Sequence, residues 1–138
     1  MEVLLTRETD VFVPLSERSD LANAREADLF ISLHCNAAGN KRERGFELYS
    51  VSETASDPEA EALAAKENAV LALEGKNVQD EEAKMILLAM TKTEMINESA
   101  AFAALATKSL DKRLDLDNRG AKQAAFYVLR GTHAPAIL

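Results

Sequence analysis

A short apolar run that ends at a histidine constrains the fold of this chain more than any other feature. The segment reads DLFISLHCNAAGN, and its nearly continuous apolar run extends from Leu29 to Leu33. Such a run predicts a strand that is covered on both faces, as in the parallel sheets of α/β proteins. His34 then lies where this strand passes into a polar loop that contains a glycine.

Three other segments have the spacing of helices. Helical periodicity predicts a first helix from Pro14 to about Arg25, since proline suits a first helical turn. The stretch from Asp57 to Gly75 has a helix-opening Asp-Pro pair and a terminal glycine, and it predicts a second helix. No Gly or Pro interrupts the stretch from about Asp80 to about Lys112. We expect one long helix there, or two nearly continuous ones.

The remaining patterned segments predict strands. Val3–Thr6 predicts a first strand, and the alternation over Phe46–Ser50 predicts a strand nearer the edge of the sheet. We expect a loop over residues 114–120, a strand over Ala124–Arg130, and a last strand in Ala134–Leu138. The fold class is therefore α/β, with a mixed, mostly parallel sheet flanked by helices on both faces.

Length and charge restrict the class of protein. A chain of 138 residues suits one domain, and its 47% hydrophobic content is typical of a globular protein. A net charge of −7 argues against a nucleic-acid partner, because phosphate binding requires a basic surface. No apolar run is long enough for a membrane span, and no signal peptide precedes the first strand. We expect either a cytoplasmic protein or a sequence that lacks its natural beginning.

His34 is the strongest candidate functional residue. Polar groups that carry out chemistry gather at the carboxyl ends of strands in α/β sheets, and histidine is the commonest metal ligand. A structural, hydrogen-bonded histidine remains the alternative. His133 could approach the same rim or lie exposed in a loop. Cys35 is read as a small residue at a strand end, since strand neighbours point to opposite faces and cannot easily form a catalytic pair.

A resemblance to a known family sharpens this reading. Residues 4–40 resemble the zinc-dependent N-acetylmuramoyl-L-alanine amidases of the amidase 3 type, which have a zinc-exopeptidase-like fold. Residues 45–51, 93–106 and 118–138 are similar to later parts of the family pattern, in the same order. The matching positions in the first segment are Thr6, Arg7, Asp10, Pro14, Leu15, Arg18, Ala22, Asn23, Ala27, Asp28, Phe30 to His34, Asn36 and Ala37.

The resemblance implies a specific chemistry. Enzymes of this family hydrolyse the amide between the lactyl group of N-acetylmuramic acid and the first L-Ala of the peptidoglycan stem. Two histidines and a glutamate hold one zinc, and a further glutamate acts as general base on the metal-bound water. His34 corresponds to the second histidine ligand, and the resemblance assigns Asn36 to substrate binding.

Other parts of the family pattern have no counterpart in the sequence. The first histidine and the glutamate ligand precede the Thr-Arg strand in the family, and the catalytic glutamate follows the Pro-Ala-Ile-Leu segment. We therefore expect residues 1–138 to form a partial catalytic domain without a catalytic residue, which is inactive alone because a catalytic zinc uses three protein ligands. Loss of the first strand would also expose a sheet edge, so we expect marginal stability or association.

The resemblance also bears on partners and location. It implies peptidoglycan as the substrate, and hence a periplasmic or extracellular location. In some relatives a helical insertion blocks the metal cleft until an activator protein moves it away. The segment from Gly75 to Arg119 could be such an insertion or an ordinary packing helix. The alternative function is a non-catalytic, amidase-like domain that binds peptidoglycan or regulates an amidase.

Overall fold

The computed structural model describes residues 1–36, 44–75 and 93–138. These residues form helices and strands in alternation around one sheet, and no helix among them is both long enough and apolar enough to cross a membrane. In chain order the elements are α1 (Leu15–Ala24), β1 (Phe30–Ile31), β2 (Phe46–Val51), α2 (Pro58–Asn68), α3 (Val70–Leu73), α4 (Thr93–Asp111), β3 (Asn118–Ala124), α5 (Tyr127–Arg130) and β4 (Ala136–Ile137).

The sheet is mixed and mostly parallel. Its strand order is β1-β4-β2-β3, with β1 parallel to β4 and β2 parallel to β3. The two pairs join antiparallel at a single position, where Ser50 faces Ile137. The carboxyl ends of β1 and β4 therefore meet the amino ends of β2 and β3 at one end of the sheet. This arrangement confirms the predicted fold class.

Each face of the sheet has its own apolar core, because successive side chains of β2 point to opposite faces. Leu48 packs with Ala103 of α4 and with Ile137. On the other side, Tyr49 is fully buried and meets the ring of Phe126 edge-on, with centroids 5.0 Å apart. The second core also contains residues of α1, α2, α3 and α5, so helices cover both faces.

The predicted helices form where their terminal signals lie. Asp57 caps α2 by accepting a hydrogen bond from the backbone N–H of Ala60 at 2.8 Å. The helical segment turns at Ala69 between α2 and α3, and it stops at Gly75, which has a φ of 71°. Residues 93–111 confirm the described part of the predicted long helix, whereas residues 80–92 lie outside the described residues.

Four strand predictions differ from the structure. Val3–Thr6 is exposed coil, because no described strand pairs with it and extended backbone needs partners for its N–H and C=O groups. The strand at Phe46 is interior rather than near the edge, since it pairs with both β4 and β3. The run Leu29–Leu33 is not covered on both faces, because Leu33 is 93% exposed. The fourth difference concerns β3.

The strand β3 begins earlier in the chain than the pattern predicts. It starts at Asn118, inside the predicted loop, and Tyr127–Arg130 forms the short helix α5 instead of a strand. Pairing with β2 decides the first point, because the backbone N–H of Phe46 donates to Asp117 O at 3.0 Å. The strand predicted over Tyr127–Arg130 is wrong because a short apolar run has the same pattern in a buried helix and in a buried strand.

Candidate active site

An open cleft of about 1180 Å³ lies at the end of the sheet where β1 and β4 terminate. Its floor is apolar and includes Ile137 and Leu48, and one wall is the α4 face with Phe102 and Leu105. Polar residues occupy the rim, His34 among them. A concave apolar surface with a few convergent polar groups is the usual form of a small-molecule or polymer-binding site.

His34 lies at this rim in the way its position after the strand predicts. Residues 30–31 pair with β4, and the chain leaves the sheet three residues later at His34. The imidazole is partly exposed, and both of its nitrogens have polar neighbours: Nε2 lies 2.8 Å from Glu67 Oε2, and Nδ1 lies 2.7 Å from Asn36 Oδ1. The ring is thus accessible from the cleft and restrained on two sides.

Asn36 connects His34 to the next strand. Its Nδ2 donates to Glu47 Oε1 of β2 at 3.2 Å, while its Oδ1 faces the His34 ring. The structure brings both predicted site residues, His34 and Asn36, to the same cleft and into contact with each other.

Glu47 belongs to a cluster of charges at the cleft rim. Its Oε2 lies 3.3 Å from Arg119 Nε and 3.4 Å from Lys122 Nζ. Both contacts are ion pairs without hydrogen-bond geometry. Glu59 accepts from Arg119 at 2.6 Å and from Lys122 at 3.2 Å. The basic ends of Arg119 and Lys122 therefore fix two carboxylates from two different elements, β2 and α2.

The same contacts shift the protonation equilibria of the cluster. Hydrogen bonds from Lys122 and Arg119 lower the pKa of Glu59. Burial opposes the charged form of Lys122, but its hydrogen bond to Glu59 and the nearby carboxylates outweigh burial and raise its pKa. Burial, followed by the charge of Glu47, raises the pKa of the Tyr49 hydroxyl far above its ordinary range. The Glu59 carboxylate and the Lys122 ammonium group are thus held in their ionised forms.

The two other candidates from the sequence have separate positions. Cys35 is an exposed free thiol that lines the cleft beside His34. His133 does not line the cleft and sits in the turn before β4, where its backbone N–H donates to Asn23 Oδ1 at 2.8 Å. Asn23 also donates to Gly131 O at 2.8 Å, so its side chain holds the turn that leads into β4.

The described residues supply only part of a zinc site. His34 Nε2 and Glu67 Oε2 are both atom types that zinc accepts. Within residues 1–36, 44–75 and 93–138, however, no three His, Cys, Asp or Glu side chains come together as a metal-binding group. Since a catalytic zinc needs three protein ligands, this donor set does not form a complete site.

Sequence reasoning missed Glu67 and left Glu47 undecided among the 23 acidic residues of the chain. Strand parity could have placed Glu47 on the same face as Tyr49, since the two residues are two positions apart in β2. Nothing in the local sequence marks Glu67, because its proximity to His34 depends on how α2 packs beside β1.

Two solved structures have this architecture. The N-acetylmuramoyl-L-alanine amidase from Clostridium difficile 630 superposes with a TM-score of 0.63 at 22% identity, over 99% of this chain and 52% of that one. The catalytic domain of CwlV, an N-acetylmuramoyl-L-alanine amidase from Bacillus (Paenibacillus) polymyxa var. colistinus, gives a TM-score of 0.52 at 25% identity with the same coverage of 99% and 52%. The fold is therefore that of the amidase class.

The chain belongs to the N-acetylmuramoyl-L-alanine amidase family of the amidase 3 type, whose family model matches residues 1–138. It is 30% identical over 141 residues to the N-acetylmuramoyl-L-alanine amidase AmiA of Escherichia coli (strain K12). That alignment covers 100% of this chain and 49% of AmiA, so the chain spans about half the length of this relative. The family resemblance seen in the sequence is confirmed.

Proposed function

We propose that this chain forms part of the catalytic domain of a zinc-dependent N-acetylmuramoyl-L-alanine amidase. The reaction is hydrolysis of the amide between N-acetylmuramic acid and the L-Ala that begins the peptidoglycan stem peptide. Membership of the amidase 3 family supports the reaction class. The observation that carries the proposal is the position of His34, whose Nε2 meets the Glu67 carboxylate at the rim of a cleft of about 1180 Å³.

His34 is the zinc ligand that this chain supplies. The other ligands and the general-base glutamate lie outside residues 1–138, in keeping with the family pattern and with coverage of 49% of AmiA. When bound, a zinc ion would polarise the scissile carbonyl and lower the pKa of a water molecule. One imidazole cannot hold such an ion tightly, which supports the expectation that residues 1–138 alone are inactive.

Asn36 is the proposed substrate-binding residue. Its amide has two N–H groups and an oxygen with two lone pairs, and the contacts with Glu47 and His34 use one of each. The remaining N–H and lone pair can pair with a peptide group of the substrate. The substrate would lie along the apolar α4 wall, with its polar groups toward the rim.

The substrate determines the proposed location and partners. Peptidoglycan lies outside the cytoplasmic membrane, so the protein would act in the periplasm or outside the cell. An activator protein remains a prediction, because it depends on a blocking segment within Gly75–Arg119. The described helix of that segment, Thr93–Asp111, packs on the sheet through Ala103, which supports an ordinary packing role.

The second candidate is a non-catalytic, amidase-like domain that binds peptidoglycan or regulates an amidase. Its support is the incomplete donor set around His34 in the described ranges. The two candidates differ in what the complete product of the gene does with zinc, since only the enzyme requires a bound metal.

The test compares residues 1–138 with the complete product of the gene. Zinc content is measured by mass spectrometry, and release of stem peptides from purified peptidoglycan is measured with and without zinc. We expect the complete product to bind one zinc per chain and to release peptides, His34→Ala to lose both properties, and residues 1–138 to release none. His133→Ala is the matched control and should retain activity, since His133 lies away from the cleft.

Two results would reject the proposal. Zinc binding and peptide release that survive His34→Ala would remove His34 from the site. A complete product that contains no zinc and leaves peptidoglycan uncut, while still sedimenting with it, would establish the non-catalytic domain instead. Peptide release by residues 1–138 above the metal-free control would contradict the assignment of the missing ligands.

A further inference from the structure

Glu47 is connected to His34 through one intervening side chain, that of Asn36. Glu47 does not touch the imidazole, yet it accepts a hydrogen bond from Asn36, which in turn faces the ring. The path runs from Glu47 Oε1 to Asn36 Nδ2 over 3.2 Å, and from Asn36 Oδ1 to His34 Nδ1 over 2.7 Å. A strand carboxylate and a cleft histidine are thereby joined through one amide.

The carboxylate decides which way the Asn36 amide points. A carboxylate only accepts hydrogen bonds, so the amide must turn its Nδ2 toward Glu47 and its Oδ1 toward the ring. An amide oxygen is also only an acceptor, and therefore His34 must present a proton on Nδ1. Nε2 lies 2.8 Å from the Glu67 carboxylate, which is also only an acceptor, so the contact with Asn36 determines the proton on Nδ1 and not a lone pair on Nε2.

Glu47 is itself firmly placed. Its backbone is in β2, an interior strand, and its side chain is 15% exposed. Arg119 and Lys122 of β3 hold its other oxygen at 3.3 and 3.4 Å. Glu47 is therefore held in place by the sheet, whereas Asn36 and His34, to which it is connected, belong to a segment that has left the sheet.

We propose that Glu47 is a positioning residue, which acts through the Asn36 amide to hold a proton on Nδ1 of His34 and to fix the orientation of the ring at the cleft. This role deepens the proposed function, on which it rests for its purpose, because a metal-ligating histidine needs its other nitrogen held by a partner. The tautomer itself depends neither on a metal nor on substrate.

The test is nuclear magnetic resonance of the metal-free chain with ¹⁵N-labelled histidine, which reports the proton on each ring nitrogen. The pH is held well above the ordinary histidine pKa so that the rings are neutral. All variants carry Glu67→Gln, because the Glu67 carboxylate would compete for a proton on Nε2, whereas a glutamine amide can donate to the lone pair there. His133 provides an exposed reference ring in the same spectrum.

We expect His34 in this background to be mainly the Nδ1–H tautomer, in contrast to His133. Adding Glu47→Ala should return His34 to the tautomer ratio of His133, and Asn36→Ala should have the same effect. Asn36→Asp should restore the Nδ1–H form, since a carboxylate supplies the acceptor directly. Glu59→Ala is the matched control, because it removes a carboxylate that contacts the same Arg119 and Lys122 but is not bonded to Asn36.

Failure of the positioning role can be told apart from failure of the proposed function, because the His34 tautomer is measured without metal or substrate. If Glu47→Ala leaves the His34 ratio unchanged while the variant still unfolds cooperatively in urea, the positioning role is wrong. An equal shift in Glu59→Ala would also reject it, since the effect would then come from the charge cluster in general. Should Glu47→Ala fail to fold, the double variant Glu47→Leu with Arg119→Leu removes both members of the Glu47–Arg119 ion pair. An unchanged His34 tautomer ratio in this double variant would likewise reject the positioning role.

Discussion

Ser99 of α4 joins its helix to the sheet, because its Oγ accepts a hydrogen bond from the backbone N–H of Ala136 at 2.9 Å. Ser99 is 2% exposed and also donates to Met95 O at 2.6 Å. One hydroxyl thus satisfies a buried backbone donor of β4. Removal of a partner from a buried donor costs about 1–3 kcal/mol.

Ser99→Ala is therefore expected to lower the free energy of unfolding by about 1–3 kcal/mol, measured by urea denaturation. Ser109→Ala on the same helix is the control, since Ser109 is exposed and the change should alter stability by no more than about 0.5 kcal/mol. Equal losses in the two variants would show that the bond to Ala136 contributes nothing specific.

Gly45 allows a close approach between two strands. Its φ is 129°, and a Cβ there would collide with the backbone carbonyl of Asp117, next to β3. Gly75 also has a positive φ, of 71°, but a Cβ would meet nothing within 4 Å. We expect Gly45→Ala to reduce the free energy of unfolding by about 1–3 kcal/mol more than Gly75→Ala does. Similar melting temperatures of the two variants would contradict the steric argument.

The charge cluster predicts a stability that depends on pH at both ends of the scale. Asp57 also belongs to the cluster, since its Oδ2 lies 3.6 Å from Lys122 Nζ. The backbone hydrogen bond from Ala60 lowers the pKa of Asp57, and hydrogen bonds from Lys122 and Arg119 lower the pKa of Glu59. Their contribution is present above their unfolded values, about 3.9 and 4.3, and is lost as the pH falls through the lowered folded values. The pKa of Lys122 is raised, so its contribution is present below its unfolded value, about 10.4, and is lost as the pH rises through the raised one.

Thermal melts across the pH range check these signs. The double variant Asp57→Asn with Glu59→Gln should flatten the acid limb of the curve, and Lys122→Met should flatten the alkaline limb. An acid limb that is unchanged in the double variant would assign the loss of stability to other carboxylates.

The free edge of β1 predicts self-association. Among the strands of residues 1–36, 44–75 and 93–138, β1 pairs with β4 alone, and Ile31 and Leu33 of this segment are 49% and 93% exposed. Unpaired edges with apolar side chains favour pairing between chains. Leu33→Lys should reduce the association measured by light scattering, whereas Leu73→Lys should not, although Leu73 is 84% exposed on α3. A monomeric wild-type chain with a cooperative melt would overturn this prediction.

Local patterns predicted the elements whose signals lie within a few residues of one another. Asp57 and Gly75 delimit the α2–α3 segment because capping and a positive φ are properties of the local backbone. The position of His34 at the end of a strand followed from the apolar run before it. The order of motifs along the chain was enough to identify the amidase family, which the match over residues 1–138 confirms.

What the sequence determined was therefore the alternation of helices and strands, the family, and the residue at the rim. Tertiary structure alone decided that β3 begins at Asn118, because pairing with β2 provides the partners that extended backbone needs. It also decided that Glu47 and Glu67 are the carboxylates near His34, one through Asn36 and one directly. These neighbours are 13 and 33 positions away in the chain, and only packing of β2 and α2 beside the end of β1 brings their charges within reach of one ring.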